Sequence, residues 1–285
     1  MRAVALHRDV LLARSALLQL NCVIVRGPAG EQQESPGPGE SAGEPAGEAG
    51  GEAGGESFLI DSPLLPEELD ALPSLLEQAR FPAPSGLLAT HGDWDHLLGR
   101  FAFPGLALGC AQSTAERLNG SPGEAQRDLR AFDEGLMIVR DRPLALGSLQ
   151  GLPVPGRLDI GSGVLELHPA DGHTPDGMAV LIGWSRVLVV GDYLSALELP
   201  TFSDGGDPEA YLETLARLRP LLARAEHVVP GHGPVLNRAR ALGLLEEDAA
   251  YLQALRQSGI EAELPASRRG AAQRRVHGEN VAALQ

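Results

Sequence analysis

The sequence predicts an α/β protein with its sheets inside and its helices outside. Three observations carry this. Short apolar runs of strand length follow one another along the chain. Amphipathic stretches with helix-start signals separate them. The chain has 285 residues, 43 % of them hydrophobic, enough for a sizeable core in one large domain or two small ones.

The elements follow in order. Met1 to Val25 is apolar-rich, but Arg14, Gln19 and Asn21 interrupt it and no small-residue cleavage site closes it. It reads as strand rather than secretory leader, and a cytoplasmic protein is expected. Residues 27–56 contain no aromatic residue, no Leu, Ile or Val, and a loose GEAGGEAGGE repeat. Such a stretch cannot bury enough apolar surface to offset its conformational entropy, so a disordered Gly/Glu/Pro-rich insert is expected. Strands on both sides, Leu17–Val25 and Phe58–Asp61, make it the expanded tip of a hairpin, and lengthening such a tip costs little.

Beyond the insert, Pro66–Ala79 reads as a helix with Glu67 and Glu68 in its first turn. Leu87–Ala89 and Leu106–Cys110 read as strands, and Ala111–Asn119 and Glu124–Phe132 as helices. Arg140–Gly163 is Gly/Pro-rich and reads as a loop or lid; with the helices before it, from Ser113 on, it is expected to shape substrate choice. Val164–His168, Met178–Ile182 and Val187–Val190 are strands in close succession. Pro208–Leu222 is a helix with proline at its start, His227–Val229 a strand, and Asn237–Gln257 a helix with Asn237 as N-cap. One domain is expected over residues 1–265. The Arg-rich tail, 266–285, is expected to fray.

The formal net charge is −15, and every base is arginine. Seven glutamates and no base fall within residues 27–56, nearly half of that excess. An acidic chain without a basic stripe argues against nucleic acid and against an anionic membrane. No apolar run approaches the roughly 20 residues of a membrane span. The partner expected is a small-molecule substrate. Cys22 and Cys110 sit in apolar stretches and read as buried free thiols, with a single disulfide as the alternative.

Histidines and aspartates collect at strand ends. Thr90-His91-Gly92-Asp93-Trp94-Asp95-His96 follows a strand directly. Two carboxylates this close repel unless a cation sits between them, and imidazole with carboxylate suits zinc, iron or manganese. His173 and His232 stand beside Gly, Asp or Pro at other strand ends, as do His91, His96 and His227. His227 is expected to pack rather than ligate, His168 to be structural, and His7 and His277 to be exposed.

The loop resembles the His-x-His-x-Asp-His signature of the metallo-β-lactamase superfamily. Asp171-Gly-His173-Thr-Pro, Val190-Gly-Asp192 and Pro230-Gly-His232-Gly resemble that family's later motifs in the same order. The resemblance covers roughly Leu17 to Ser258 without the insert. It implies an αββα four-layer sandwich with two divalent metal ions at the sheet edge. It gives His91, Asp93 and His173 to one ion, Asp95, His96 and His232 to the other, and Asp192 as a bridge. It names Asp95 and Asp192 as catalytic carboxylates and a hydroxide between the ions as nucleophile. Thr90, Asp171 and Asp61 are candidates to orient the imidazoles, an ordinary turn role for Asp61 being the alternative. Trp94 either packs on the sheet or walls the substrate pocket. Tyr193 either packs or faces the substrate.

One position departs from the family pattern: Asp93 stands where the second histidine is expected. The added negative charge weakens Lewis acidity and moves preference toward harder ions. Zinc is favoured slightly over iron, with manganese a third option; Asp93 is either a ligand or the holder of a water. The resemblance, strongest to the glyoxalase II-like and lactonase-like branch around Pro208–Val235, implies hydrolysis of a small ester, thioester or lactone. The alternatives are a flavodiiron-like di-iron redox protein served by a separate flavin partner, whose branch carries a carboxylate at this position, and a metal-dependent nuclease.

Overall fold

In the computed structural model, which describes residues 1–28, 55–202 and 205–284, the apolar runs assemble into two sheets. The first has seven strands in chain order: β1 (Arg2–His7), β2 (Val10–Arg14), β3 (Asn21–Arg26), β4 (Ser57–Ile60), β5 (Gly86–Leu88), β6 (Leu108–Ala111) and β7 (Leu149–Leu152). Pairing is antiparallel from β1 to β4 and parallel from β4 to β7. The second has six: β8 (Gly156–Ile160), β9 (Gly163–Pro169), β10 (Met178–Ile182), β11 (Val187–Val189), β12 (His227–Val229) and β13 (Leu236–Asn237), running β13-β12-β11-β10-β9-β8. Within it β11 and β12 pair parallel, and the other pairs are antiparallel.

The central strands are apolar at nearly every position because both their faces are covered. Val23 and Val25 of β3 and Met178, Val180 and Ile182 of β10 meet in the core between the sheets. Their alternating neighbours turn outward: Cys22 and Ile24 toward helices on the first sheet, Ala179 and Leu181 toward helices on the second. The first helical layer holds α1 (Pro66–Asp70), α2 (Leu72–Gln78), α3 (Gly99–Ala102), α4 (Gln112–Gly120) and α5 (Glu124–Leu136). The second holds α6 (Pro208–Arg224), α7 (Arg238–Ser258) and α8 (Ala271–Ala283). This is the αββα sandwich.

Side-chain caps fix the starts of α6 and α7. Asp207 accepts from the backbone N–H of Glu209 and Ala210 at 2.9 and 2.8 Å, and Pro208 opens α6. Asn237, the expected N-cap of α7, accepts from Arg240 N–H at 2.9 Å. Both cysteines are buried free thiols. Among the described residues, no helix is long and apolar enough to cross a membrane.

Four expectations change. The stretch Pro66–Ala79 divides into α1 and α2 at Ala71, because Pro73 in the first turn of α2 has no N–H to continue the ladder. The N-terminal stretch is three strands, turning at Arg8-Asp9 and again between Ser15 and Leu20. The Gly/Pro-rich stretch 140–163 holds β7 and β8, the last strands of the two sheets; edge strands tolerate the Gly and Pro that a central strand would not. The tail forms α8, and His277 is buried rather than exposed, between the Tyr251 hydroxyl at 3.1 Å and the Ile260 carbonyl at 3.1 Å. Its arginines misled because Arg268 is buried against Asp248 at 2.6 Å. Of the insert, residues 29–54 lie outside the described residues. The strands that flank it pair antiparallel, Arg26 opposite Ser57, and Gly27 N–H donates to the Glu56 carbonyl at 2.9 Å.

Candidate metal centre

Four loops meet at one end of the sandwich, each leaving the C-terminal end of a strand. The loop after β5 brings His91, Asp93, Asp95 and His96; the one after β9 brings His173; those after β11 and β12 bring Asp192 and His232. All seven predicted ligands converge.

Close approach of these loops depends on glycine. At Gly231 a Cβ would collide with Oδ1 of Asp192 and stand 2.9 Å from the His96 ring. Gly172 has φ +118 and its missing Cβ leaves room for the backbone of Tyr211. Asn21 of β3 staples the last loop from the opposite sheet: its Nδ2 donates to the carbonyls of Pro230 and Gly233 at 2.8 and 2.9 Å.

Two clusters of metal-competent atoms result, His91/His173/Asp192 and Asp95/His96/His232. Asp192 lies between them. Its Oδ2 is 4.0, 3.5 and 3.5 Å from Nε2 of His91, His173 and His232, and its Oδ1 is 3.2 Å from Nε2 of His96. Asp95 Oδ2 is 3.3 Å from His232 Nε2. Asp93 belongs to neither cluster but lies beside the first, its Oδ2 3.6 and 3.5 Å from Nε2 of His91 and His173. With ligand bonds of about 2.0–2.2 Å, the edges of a tetrahedral site are roughly 3.3–3.6 Å. The donor set therefore fits divalent ions.

The outer nitrogens are tied down. His96 Nδ1 faces Asp61 Oδ2 at 3.1 Å. His173 Nδ1 faces the Thr201 carbonyl at 2.9 Å, and His232 Nδ1 the Leu18 carbonyl at 3.1 Å. Thr90 Oγ1 donates to Asp61 Oδ2 at 3.0 Å, which leaves it to accept from His91 Nδ1 at 3.1 Å. Each ring is thus held with Nε2 inward, the tautomer a metal ion needs. The inner atoms lack protein hydrogen-bond partners: Nε2 of His91, His96 and His173 and Oδ1 of Asp192 are all buried and unsatisfied. Unsatisfied buried polar atoms are costly, and ions bound among them would satisfy them.

Electrostatics agree. Burial works against charge on His96, His173, His232, Asp93 and Asp192, but the facing carboxylates and imidazoles outweigh it. His173 is pushed up to about 9 by Asp93 and Asp192, and His96 and His232 well above the usual range by their aspartates. Asp192 and Asp93 are held well below the usual carboxylate range by the facing histidines.

Of the candidates to orient imidazoles, Thr90 and Asp61 do so. Asp171 does not: its carboxylate pairs with Arg217 of α6, and only its carbonyl serves the site. Tyr193 is buried, and its hydroxyl donates to that carbonyl at 2.7 Å while accepting from His173 N–H at 3.0 Å. It braces the His173 loop, with its ring turned onto Tyr211. Trp94 stands beside the centre. It packs on Phe132 of α5, with ring centroids 4.6 Å apart, and it lines a groove of about 250 Å³ beside the centre with Asp93, Arg117, Ser121 and Glu124. His168 and His227 stay outside the clusters.

Sequence reasoning missed three groups. Arg117 of α4 bonds Asp93. Asp176 accepts the Gly92 N–H at 2.9 Å. Burial pushes the Glu198 carboxyl up; His232 opposes this, and Asp192 and Asp95 reinforce it. Asp176 stands three residues past His173, a nearness that could have marked it; nothing in the sequence marks the other two.

The family model described as the metallo-beta-lactamase superfamily matches residues 52–232. No curated protein matches the chain. Among solved structures, a beta-lactamase domain protein from Burkholderia ambifaria is 20% identical with TM-score 0.60, over 99% of this chain and 86% of that one. TTHA1623, crystallised in a di-iron-bound form, is 22% identical with TM-score 0.55, over 81% and 96%. The sec-alkylsulfatase Pisa1 from Pseudomonas sp. is 14% identical with TM-score 0.68, over 96% of this chain and 47% of that one. At these identities the likeness is one of fold.

Proposed function

Since the chain belongs to the metallo-β-lactamase superfamily, we propose that it is a metal-dependent hydrolase of a small ester, thioester or lactone, with two divalent ions, zinc favoured, held by the seven residues at the loop end. The observation that carries this reading is the convergence of inward Nε2 atoms on Asp192, three of them without another partner. Divalent ions there would supply Lewis acidity and lower the pKa of water toward neutrality. The protein's part is to fix the imidazole rings, to hold Asp192 and Asp93 ionised, and to offer a substrate the groove beside Trp94.

A second reading is a flavodiiron-like redox protein. The carboxylate oxygen that Asp93 holds beside the first cluster favours it.

Metal analysis of protein expressed with zinc and iron, followed by a panel of thioesters, lactones and phosphoesters, separates the two. Bound metal with turnover of an ester-class substrate is the expected result, and Asp192→Ala should lose both metal and turnover. Iron with an oxygen-dependent absorbance change and no hydrolysis supports the redox reading. Normal turnover by Asp192→Ala would refute the site.

A further inference from the structure

The departure at Asp93 brings a second group with it. Arg117 Nη2 donates to Asp93 Oδ1 at 2.9 Å, and its Nη1 donates to Asp176 Oδ1 at 2.8 Å. Asp176 is buried, and its Oδ2 accepts the Gly92 N–H, so the guanidinium is anchored to the loop that carries His91 and Asp93. With Oδ1 engaged, Asp93 turns only Oδ2 toward His91 and His173.

Resting on the metal-centre reading above, we propose that Arg117 is a positioning residue of the first cluster, limiting Asp93 to one donor oxygen and drawing off part of its charge. A histidine at that position would offer one neutral nitrogen. A free aspartate would offer two oxygens and a full negative charge. The Asp93–Arg117 pair offers one oxygen on a group closer to neutral, and so restores much of what the histidine would supply. Asp176 shares the guanidinium, which makes the charge offset partial. Guanidinium is suited to this because its planar fork reaches two carboxylates with separate nitrogens.

The test is a cobalt(II) titration against a competing chelator, with visible absorption recorded, on four chains: wild type, Arg117→Gln, Asp93→His, and both together. Arg117→Gln should weaken one metal equivalent by about 10- to 100-fold and alter its cobalt absorption, leaving the other equivalent in place. In the Asp93→His background the same change should stay within about twofold, since the imidazole needs no guanidinium. An equal loss in both backgrounds overturns the proposal: Arg117 would then support only the Gly92 loop through Asp176. Unchanged affinity and absorption in Arg117→Gln overturn it as well. If Arg117→Gln does not fold, Arg117→Lys, which keeps the charge but not the fork, carries the comparison; an intermediate loss confined to the chain with Asp93 is expected, and none overturns the idea. Wild-type protein that takes up no cobalt sinks the metal centre itself, a result distinct from any of these.

Discussion

Asp61 has φ 58 directly after β4, a left-handed conformation that aspartate adopts more readily than most residues because its short side chain bonds locally. From there its carboxylate accepts the Thr90 N–H at 2.8 Å and the Thr90 hydroxyl at 3.0 Å, and faces His96 Nδ1 at 3.1 Å. One buried carboxylate thus sets His96 directly and His91 through Thr90, one histidine in each cluster. Asp61→Ala should reduce metal affinity by about 10- to 100-fold, measured by chelator competition; wild-type affinity would show that the rings hold themselves. The seven converging residues were legible in the sequence because they sit in short contiguous motifs, four of them within His91 to His96. What orients them was mostly not. The Leu18 and Thr201 carbonyls are backbone atoms, which carry no residue signature, and Arg117 reaches Asp93 only once α4 has packed on its sheet. Tyr193 was open to two readings for a related reason: its place after Asp192 does not say which way the ring turns.

The loop from Leu194 to Thr201 leaves the second sheet after Asp192 and ends on the carbonyl that holds His173. The C-terminal segment grips it from behind. Arg268 Nη1 donates to the carbonyls of Ser195 and Glu198 at 3.2 and 2.7 Å, Gln273 Nε2 to Leu197 at 2.6 Å, and Asn280 Nδ2 to Pro200 at 2.7 Å. Ser195 in turn donates to the His232 carbonyl at 3.0 Å. A tail read as frayed from its arginines therefore braces two of the four ligand loops. Arg268 is also the buried partner of Asp248, so Arg268→Ala should cost about 3–5 kcal/mol, because it strands that carboxylate in the core. Replacing both, Arg268→Met with Asp248→Leu, should recover a large part of it. Urea unfolding measures both; a loss under 1 kcal/mol in the single variant would remove the brace from the account. The opposite outcome belongs to the β3–β4 connection. Its ends are already joined by the Gly27–Glu56 bond, so replacing residues 29–54 by a four-residue turn should leave stability within about 1–2 kcal/mol, since closure entropy depends only logarithmically on length. A larger loss in the same unfolding experiment would assign those residues a packing role.

Both sheets contribute to the centre, His91, Asp93, Asp95 and His96 from the loop after β5 and His173, Asp192 and His232 from loops of the second sheet. Ions held there would tie the two halves of the sandwich together, as nothing in the unfolded chain could. At a thousandfold excess over its dissociation constant, a ligand of the native state alone stabilises it by about 4 kcal/mol. The pH dependence follows from the histidines. In the metal-free protein His173 is raised to about 9, and His96 and His232 also lie above their usual range. A histidine raised in the folded state stabilises the metal-free fold fully below its unfolded value, about 6.5, and that contribution fades as pH rises through the folded one. Metal binding needs the same rings neutral and so competes with their protons. The two dependences have opposite sign: raising the pH weakens the metal-free protein and strengthens metal uptake. The rise in Tm on adding zinc to chelator-treated protein should therefore be small at pH 6 and grow through pH 8.5, with protons released on binding at neutral pH. Calorimetric scans with and without zinc across that range measure the first, and titrations in buffers of different ionisation enthalpy the second. A Tm gain that is flat, or that grows toward pH 6, would mean that zinc is not held by these imidazoles.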